Sequence, residues 1–138
     1  MRILGVDYGD SRVGLADSDE MRVLASPLPP LQTGSMRKTI DEVAKIARET
    51  GAAVIVVGLP LNMNGTEGPQ AGKVRAFGSK LGEVSGAEIV YKDERLTTVQ
   101  AHRAFDQAGV SKSRRSRLVD SVSAQIILQS YLDAAARA

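Results

Sequence analysis

The sequence predicts an α/β fold, a mixed five-stranded sheet flanked by helices, and three observations predict it. Three closely spaced β-rich runs open the chain, at residues 3–6, 12–16 and 22–28, separated by Asp7-Tyr8-Gly9-Asp10 and Asp17-Ser18-Asp19-Glu20. Short turns between short strands read as an antiparallel meander. From Ser35 onward, helical spacing alternates with strand-like runs, the pattern of βα crossovers returning to one sheet. Val54-Ile55-Val56-Val57 is apolar without a break, as befits a strand covered on both faces. The predicted order is βββαβαβαα.

In the meander, Pro27, Pro29 and Pro30 are expected to end the third strand at an edge, because proline cannot donate to a ladder. The first helix follows from Met36, Ile40, Val43, Ala44 and Ala47 at helical spacing, with Ser35 as N-cap and Gly51 just past the last turn. A loop rich in Gly, Asn and Pro spans 58–69, a helix is expected over 70–81, and a strand over 87–91. Thr97-Thr98-Val99-Gln100 has the form of a capping box opening a helix. The final helix is expected over 117–136. On a 100° wheel Ser121, Gln125, Gln129 and Asp133 form one polar stripe, while Asp120 falls with Ala124, Ile127, Leu128 and Tyr131 on the face that packs on the sheet.

The 138 residues, 43% hydrophobic and 25% charged, fit one soluble domain over 1–138. With no cysteine and one histidine, His102, disulfide scaffolds, thiol catalysis, zinc ribbons and multi-histidine metal sites are excluded. His102, among Ala101, Ala104 and Phe105, is expected to be a partly buried structural residue. No apolar run is long enough to span a membrane, and the chain opens directly into a strand rather than a signal peptide, so a cytoplasmic protein is expected. The net charge is +2, but residues 1–69 carry −2 and residues 70–138 carry +4. The densest basic stretch is Lys112-Ser113-Arg114-Arg115-Ser116-Arg117, beside Lys73, Arg75, Lys80, Lys92 and Arg95 upstream. That bias suits a polyphosphate partner; solvated surface charge explains it equally well.

Three carboxylates stand out. Asp7 ends a buried strand, where it is either a turn-former or a placed ligand. Asp93-Glu94 follows another strand at its carboxyl end, the edge where open α/β sheets bind ligands. Asp120 occupies an apolar helix face, where a carboxylate costs several kcal/mol unless paired, protonated or cation-bound. N-capping is the alternative there, although Leu118 and Val119 already read as helical. If the three converge, oxygen ligands select Mg²⁺ or Mn²⁺ and suit phosphodiester hydrolysis.

Four segments together resemble the YqgF (RuvX-like) family over essentially the whole chain. They are Gly5-Val6-Asp7-Tyr8-Gly9 through Arg12-Val13-Gly14-Leu15-Ala16; Val57-Gly58-Leu59-Pro60-Leu61-Asn62 with Gly65-Thr66; Asp93-Glu94-Arg95-Leu96-Thr97-Thr98; and Asp120 leading into Ile127-Leu128-Gln129-Ser130-Tyr131-Leu132. The resemblance implies an RNase H-like fold and a metal-dependent nuclease that processes the 5′ end of the 16S ribosomal RNA precursor. It implies Asp7, Glu94 and Asp120 as catalytic acids and ligands of Mg²⁺ or Mn²⁺, with Asp93 only a neighbour. Fuller sites of this type carry a fourth carboxylate; one turn after Asp120 stands Ser123, leaving Asp10 and Asp17 as candidates. Arg12, Lys73, Arg75, Arg95, Lys112, Arg114 and Arg115 are weaker candidates for phosphate contacts, and Tyr8 for stacking on a base.

Three other functions can be set against the same residues. A Holliday-junction resolvase would share the chemistry but act on branched DNA, and would need a symmetric homodimer to cut opposed strands. A non-catalytic RNA-binding protein of ribosome assembly would have no use for clustered negative charge facing phosphate. A two-lobed nucleotide-binding protein of the actin and sugar-kinase type would need a second lobe.

Overall fold

The structure, a computed structural model, describes residues 1–137 apart from the side chains of Thr98, Ser116 and Arg117. The capping-box Thr98 side chain and the Arg117 member of the basic cluster therefore lie outside the described residues. The elements are β1 (Ile3–Tyr8), β2 (Arg12–Ser18), β3 (Ala25–Gln32), α1 (Met36–Thr50), β4 (Val54–Leu59), α2 (Pro69–Ser85), β5 (Glu88–Asp93), α3 (Thr97–Ala108) and α4 (Lys112–Arg137). The strands form one sheet in the order β3-β2-β1-β4-β5. β1–β2 and β2–β3 pair antiparallel, β1–β4 and β4–β5 parallel.

Strand alternation divides the core in two. Leu4, Val6 and Tyr8 of β1 point to the face covered by α1 and α2, where Ile40, Val43, Val74, Phe77 and Leu81 are buried with them. Ile3 points to the opposite face, which α4 covers with Ala124, Ile127, Leu128 and Leu132. By the same alternation Asp7 lies on the α4 side of the sheet.

Both ends of α1 follow the sequence: the Ser35 side chain accepts from Lys38 N, and Gly51 closes the helix in the left-handed region. Other expectations are corrected. The prolines do not terminate β3 but lie inside it; β3 is an edge strand that pairs only with β2, and Pro29 and Pro30 stand where that pairing is irregular, positions in which a missing donor is tolerated. Arg22 is not in the strand but in the preceding turn, at φ 58. The capping box does not form, since α3 begins after Leu96, which makes no side-chain cap bond. β5 runs on to Asp93, α2 is longer at both ends, and α4 starts at Lys112, which puts the basic cluster in its first turns.

The polar stripe on α4 turns out to face β3. Ser121 Oγ donates to Leu28 O (2.8 Å), Gln125 Nε2 to Ala25 O (3.1 Å) and Gln129 Nε2 to Val23 O (2.9 Å), while Gln129 Oε1 accepts from Ala25 N (2.9 Å). Side chains at i+4 spacing thus bond backbone groups of the edge strand and of Val23 just before it, and they fix α4 along its axis. His102 is exposed rather than partly buried, with its ring edge-on to Phe105.

Candidate active site

Asp7 and Glu94 meet across the carboxyl ends of β1, β4 and β5. Asp7 is the next-to-last residue of β1, and Glu94 immediately follows β5, held by its N–H on Leu59 O (3.1 Å). The Glu94 side chain reaches back over β4 at Gly58, where a Cβ would stand 2.8 Å from Glu94 Oε2 and 2.6 Å from Ile127 Cδ1. Any side chain at 58 would displace one or the other. On β2 the residue paired with Asp7 is Gly14, and a Cβ there would overlap the Asp120 carbonyl. This glycine lets α4 press onto the sheet beside Asp7. Neither role was read from the sequence, although an isolated glycine within an apolar strand run signals a close approach.

The two carboxyls are within hydrogen-bonding reach, and their acidities separate accordingly. Burial is the main cause that pushes Glu94 up to about 8, followed by the charge of Asp7 and the hydrogen bond with it. Asp7 is raised to about 6, again first by burial; the bond from Glu94 opposes this and the charge of Asp120 adds to it. Near neutral pH the two carboxyls therefore hold one proton between them.

Asp120 stands on α4 facing Arg12, with Oδ2 at 2.9 Å from Arg12 Nε. The contact is an ion pair and not a hydrogen bond, because that buried oxygen has no hydrogen-bond partner. Among the described residues no three His, Cys, Asp or Glu side chains are grouped closely enough to hold a metal ion. Asp7 and Glu94 are brought together; Asp120 is near enough to act on Asp7 through its charge but is turned to Arg12.

The remaining candidates divide. Asp93 is held by Arg95 (2.8 Å), which pushes its carboxyl below the usual range, and so stays outside the pair. Asp17 pairs with Arg2 (3.1 Å) and lies opposite Leu4 near the start of β1, at the other end of the strands from Asp7 and Glu94, while Asp10 is exposed on its turn near Lys73 (3.9 Å). Neither supplies a fourth carboxylate, and Ser123 is buried. Tyr8 is corrected: its ring is buried on the far face, stacked on Phe77 at 4.2 Å, and has no face to offer a base. Arg75 forks onto Glu67 (2.7 Å to each oxygen) and lies over Tyr91. Arg115 is also corrected, since it joins α3 to α4 through Asp106 and Val110 O over the Phe105 ring. Lys112 and Arg114 are exposed.

The sequence model of a family described as "RuvX: Holliday junction resolvase" matches residues 1–134. A protein of Endomicrobium trichonymphae named "Putative pre-16S rRNA nuclease" is 45% identical over 133 residues, covering 96% of this chain and 95% of its own. A relative of the same name from Clostridium beijerinckii is 44% identical over 137 residues, with 99% of each chain covered. Among solved structures, "T. thermophilus RuvC in complex with Holliday junction substrate" superposes with a TM-score of 0.64 at 14% identity, covering 99% of this chain and 96% of that one. A fowlpox virus resolvase in complex with Holliday junction DNA gives 0.63 at 14%, covering 98% and 99%. At such identities the likeness is one of fold: the mixed sheet and flanking helices are RNase H-like.

Proposed function

Because this chain belongs to the RuvX family, we propose that it is a metal-dependent nuclease, with residues 1–138 as one catalytic unit, that hydrolyses phosphodiester bonds of the 16S ribosomal RNA precursor. The observation that carries this reading is the buried Asp7–Glu94 pair, within hydrogen-bonding reach at the strand ends, with Asp120 on α4 close enough to add its charge. Clustered acids are costly to bury, and a fold that only bound RNA would gain nothing from placing them where phosphate must approach.

The donor set suits a hard divalent cation in its chemistry, with Asp120 having to turn from Arg12 to join Asp7 and Glu94. It is oxygen-only, largely buried, and includes Asp120 Oδ2, which lacks a hydrogen-bond partner. Asp7, Glu94 and Asp120 are the residues that would hold such an ion, Mg²⁺ or Mn²⁺. Once bound, it would supply the charge that activates a water and stabilises the leaving oxygen. Without it, the shared proton reduces repulsion between Asp7 and Glu94, and Arg12 balances Asp120. Arg12 thereby holds a guanidinium at the mouth of the site, where a phosphate can also meet it. Gly58 and Gly14 keep the acids in place by leaving room for Glu94 and for α4.

Cleavage of precursor rRNA, single-stranded RNA and a four-way DNA junction, each with Mg²⁺, Mn²⁺ or EDTA, tests the assignment. Metal-dependent cutting of the precursor is expected; full cutting in EDTA would refute the mechanism. Paired nicks in the junction would favour the second reading, resolvase activity, which the family description suggests and which calls for a homodimer.

A further inference from the structure

We infer that Leu96 and Met63 form an apolar rim beside the acids that receives an unpaired base next to the scissile phosphate. The inference rests on the nuclease reading and adds what part of the substrate the site grips.

Leu96 is held at φ 68, a left-handed conformation that is strained for a non-glycine residue. The turn bond from Thr97 N–H to Glu94 O (3.0 Å) and the first α3 bond, from Gln100 N–H to Leu96 O (2.9 Å), hold the backbone there, but neither needs a leucine side chain. The side chain is 55% exposed, and it makes no cap bond to α3. Glycine or asparagine would adopt this backbone with less strain, so a leucine here points to a contact outside the fold. Its place indicates which contact: Leu96 is two residues beyond Glu94, so their Cα atoms are at most ~7.6 Å apart. A phosphate at the Glu94 carboxyl has its own flanking nucleoside within that distance.

Met63, on the 58–69 loop, is 69% exposed, and its backbone is tied to the Glu94–Leu96 segment through Arg95. The loop is internally bonded: Leu61 bridges to Glu67, Asn62 N–H donates to Thr66 O (2.8 Å), and Asn64 Oδ1 accepts from Thr66 N–H (3.1 Å). Arg95, between Glu94 and Leu96, donates to Met63 O (3.1 Å) while its fork grips Asp93. One arginine thus fastens the loop tip to the segment that carries Glu94. Val99, also exposed, continues the apolar surface one turn into α3.

Aliphatic and thioether side chains bind the face of a base without reading its identity. A base within a duplex has its faces already stacked, so the rim favours unpaired nucleotides.

The test uses the full chain in EDTA, where cleavage is blocked, with fluorescently labelled single-stranded RNA, single-stranded DNA and duplex RNA of equal length. Wild type is compared with Leu96→Gly, Leu96→Asn and Met63→Ala. Both Leu96 variants should melt no lower than wild type, because each tolerates the left-handed backbone. All three variants should bind single strands at least about fivefold more weakly and duplex unchanged. Wild-type affinity for single strands in all variants would overturn the rim, as would an equal loss on duplex or a loss confined to a variant that melts lower. Comparable losses on RNA and DNA single strands identify a base contact; a loss on RNA alone would overturn it in favour of a sugar contact. Failure of the wild type to cleave any nucleic acid with metal would refute the nuclease reading, while the binding comparison would still decide the rim.

Discussion

The carboxyl of Glu94 lies across Gly58 so closely that a Cβ on this glycine would stand 2.8 Å from Oε2 and 3.1 Å from the carboxyl carbon. A methyl group there must move Glu94 outward or push Ile127 out of its packing. We expect Gly58→Ala to cost about 1–3 kcal/mol and to lower cleavage at least tenfold. Urea unfolding and single-turnover cleavage would check this, and unchanged cleavage in a folded variant would mean Glu94 has no role at that spot.

The shared proton makes metal-free stability fall as pH rises. Asp7 and Glu94 have folded-state values of about 6 and about 8, both raised, so between pH 4 and 8 the native state binds more protons than the unfolded chain. Their stabilising contribution is complete below the unfolded values and is lost as pH rises through the folded ones. At ~1.4 kcal/mol per unit, a loss of several kcal/mol is expected between pH 5 and pH 8.5. Unfolding in EDTA at both pH values should show it, and Glu94→Gln should flatten most of the difference.

Asp120→Asn separates a ligand from a partner of Arg12. The ion pair with Arg12 is partly exposed and worth on the order of 1 kcal/mol or less, so the melting temperature should stay within about 4 °C. Cleavage should fall by about two orders of magnitude or more, and Mn²⁺ affinity measured by calorimetry should weaken. If Arg12→Ala reproduced the loss of Mn²⁺ affinity, Asp120 would be acting through the arginine.

Arg114 and Arg115 are neighbours with different work. Arg115 bonds Asp106 and Val110 O, so Arg115→Ala should destabilise the protein by about 1–2 kcal/mol. Exposed Arg114 should leave stability unchanged when replaced by alanine. Its loss should reduce the slope of log binding constant against log salt by about one. Equal slopes for Arg114→Ala and wild type would make it solvated surface charge.

The strand and helix order was legible because period-2 and period-3.6 patterns are local properties, and Ser35 and Gly51 mark α1 by chemistry that acts within one turn. The unusual place of Asp120 was visible on the wheel for the same reason. What escaped was long-range. The direction of the Ser121-Gln125-Gln129 stripe depends on which edge strand lies opposite, and pattern alone cannot say whether polar residues face water or backbone. Tyr8 follows Asp7 in sequence but points to the other side of the sheet, a consequence of alternation that adjacency conceals. Arg115 looks like its basic neighbours until Asp106 and Phe105 are brought beside it. The capping box failed because Leu96, bent into the left-handed region, starts α3 in place of a threonine side chain.

The bonds that fasten α4 to β3 join residues 93 to 104 positions apart, and this sets an order of assembly. A chain emerging from its N-terminus can form the meander and the βα units while one whole sheet face is bare and Asp120 has not been made. Long closures of this kind are slow compared with local helix and hairpin formation. The acidic trio is therefore completed late, and a chain synthesised short of residue 120 carries only two of its three carboxyls.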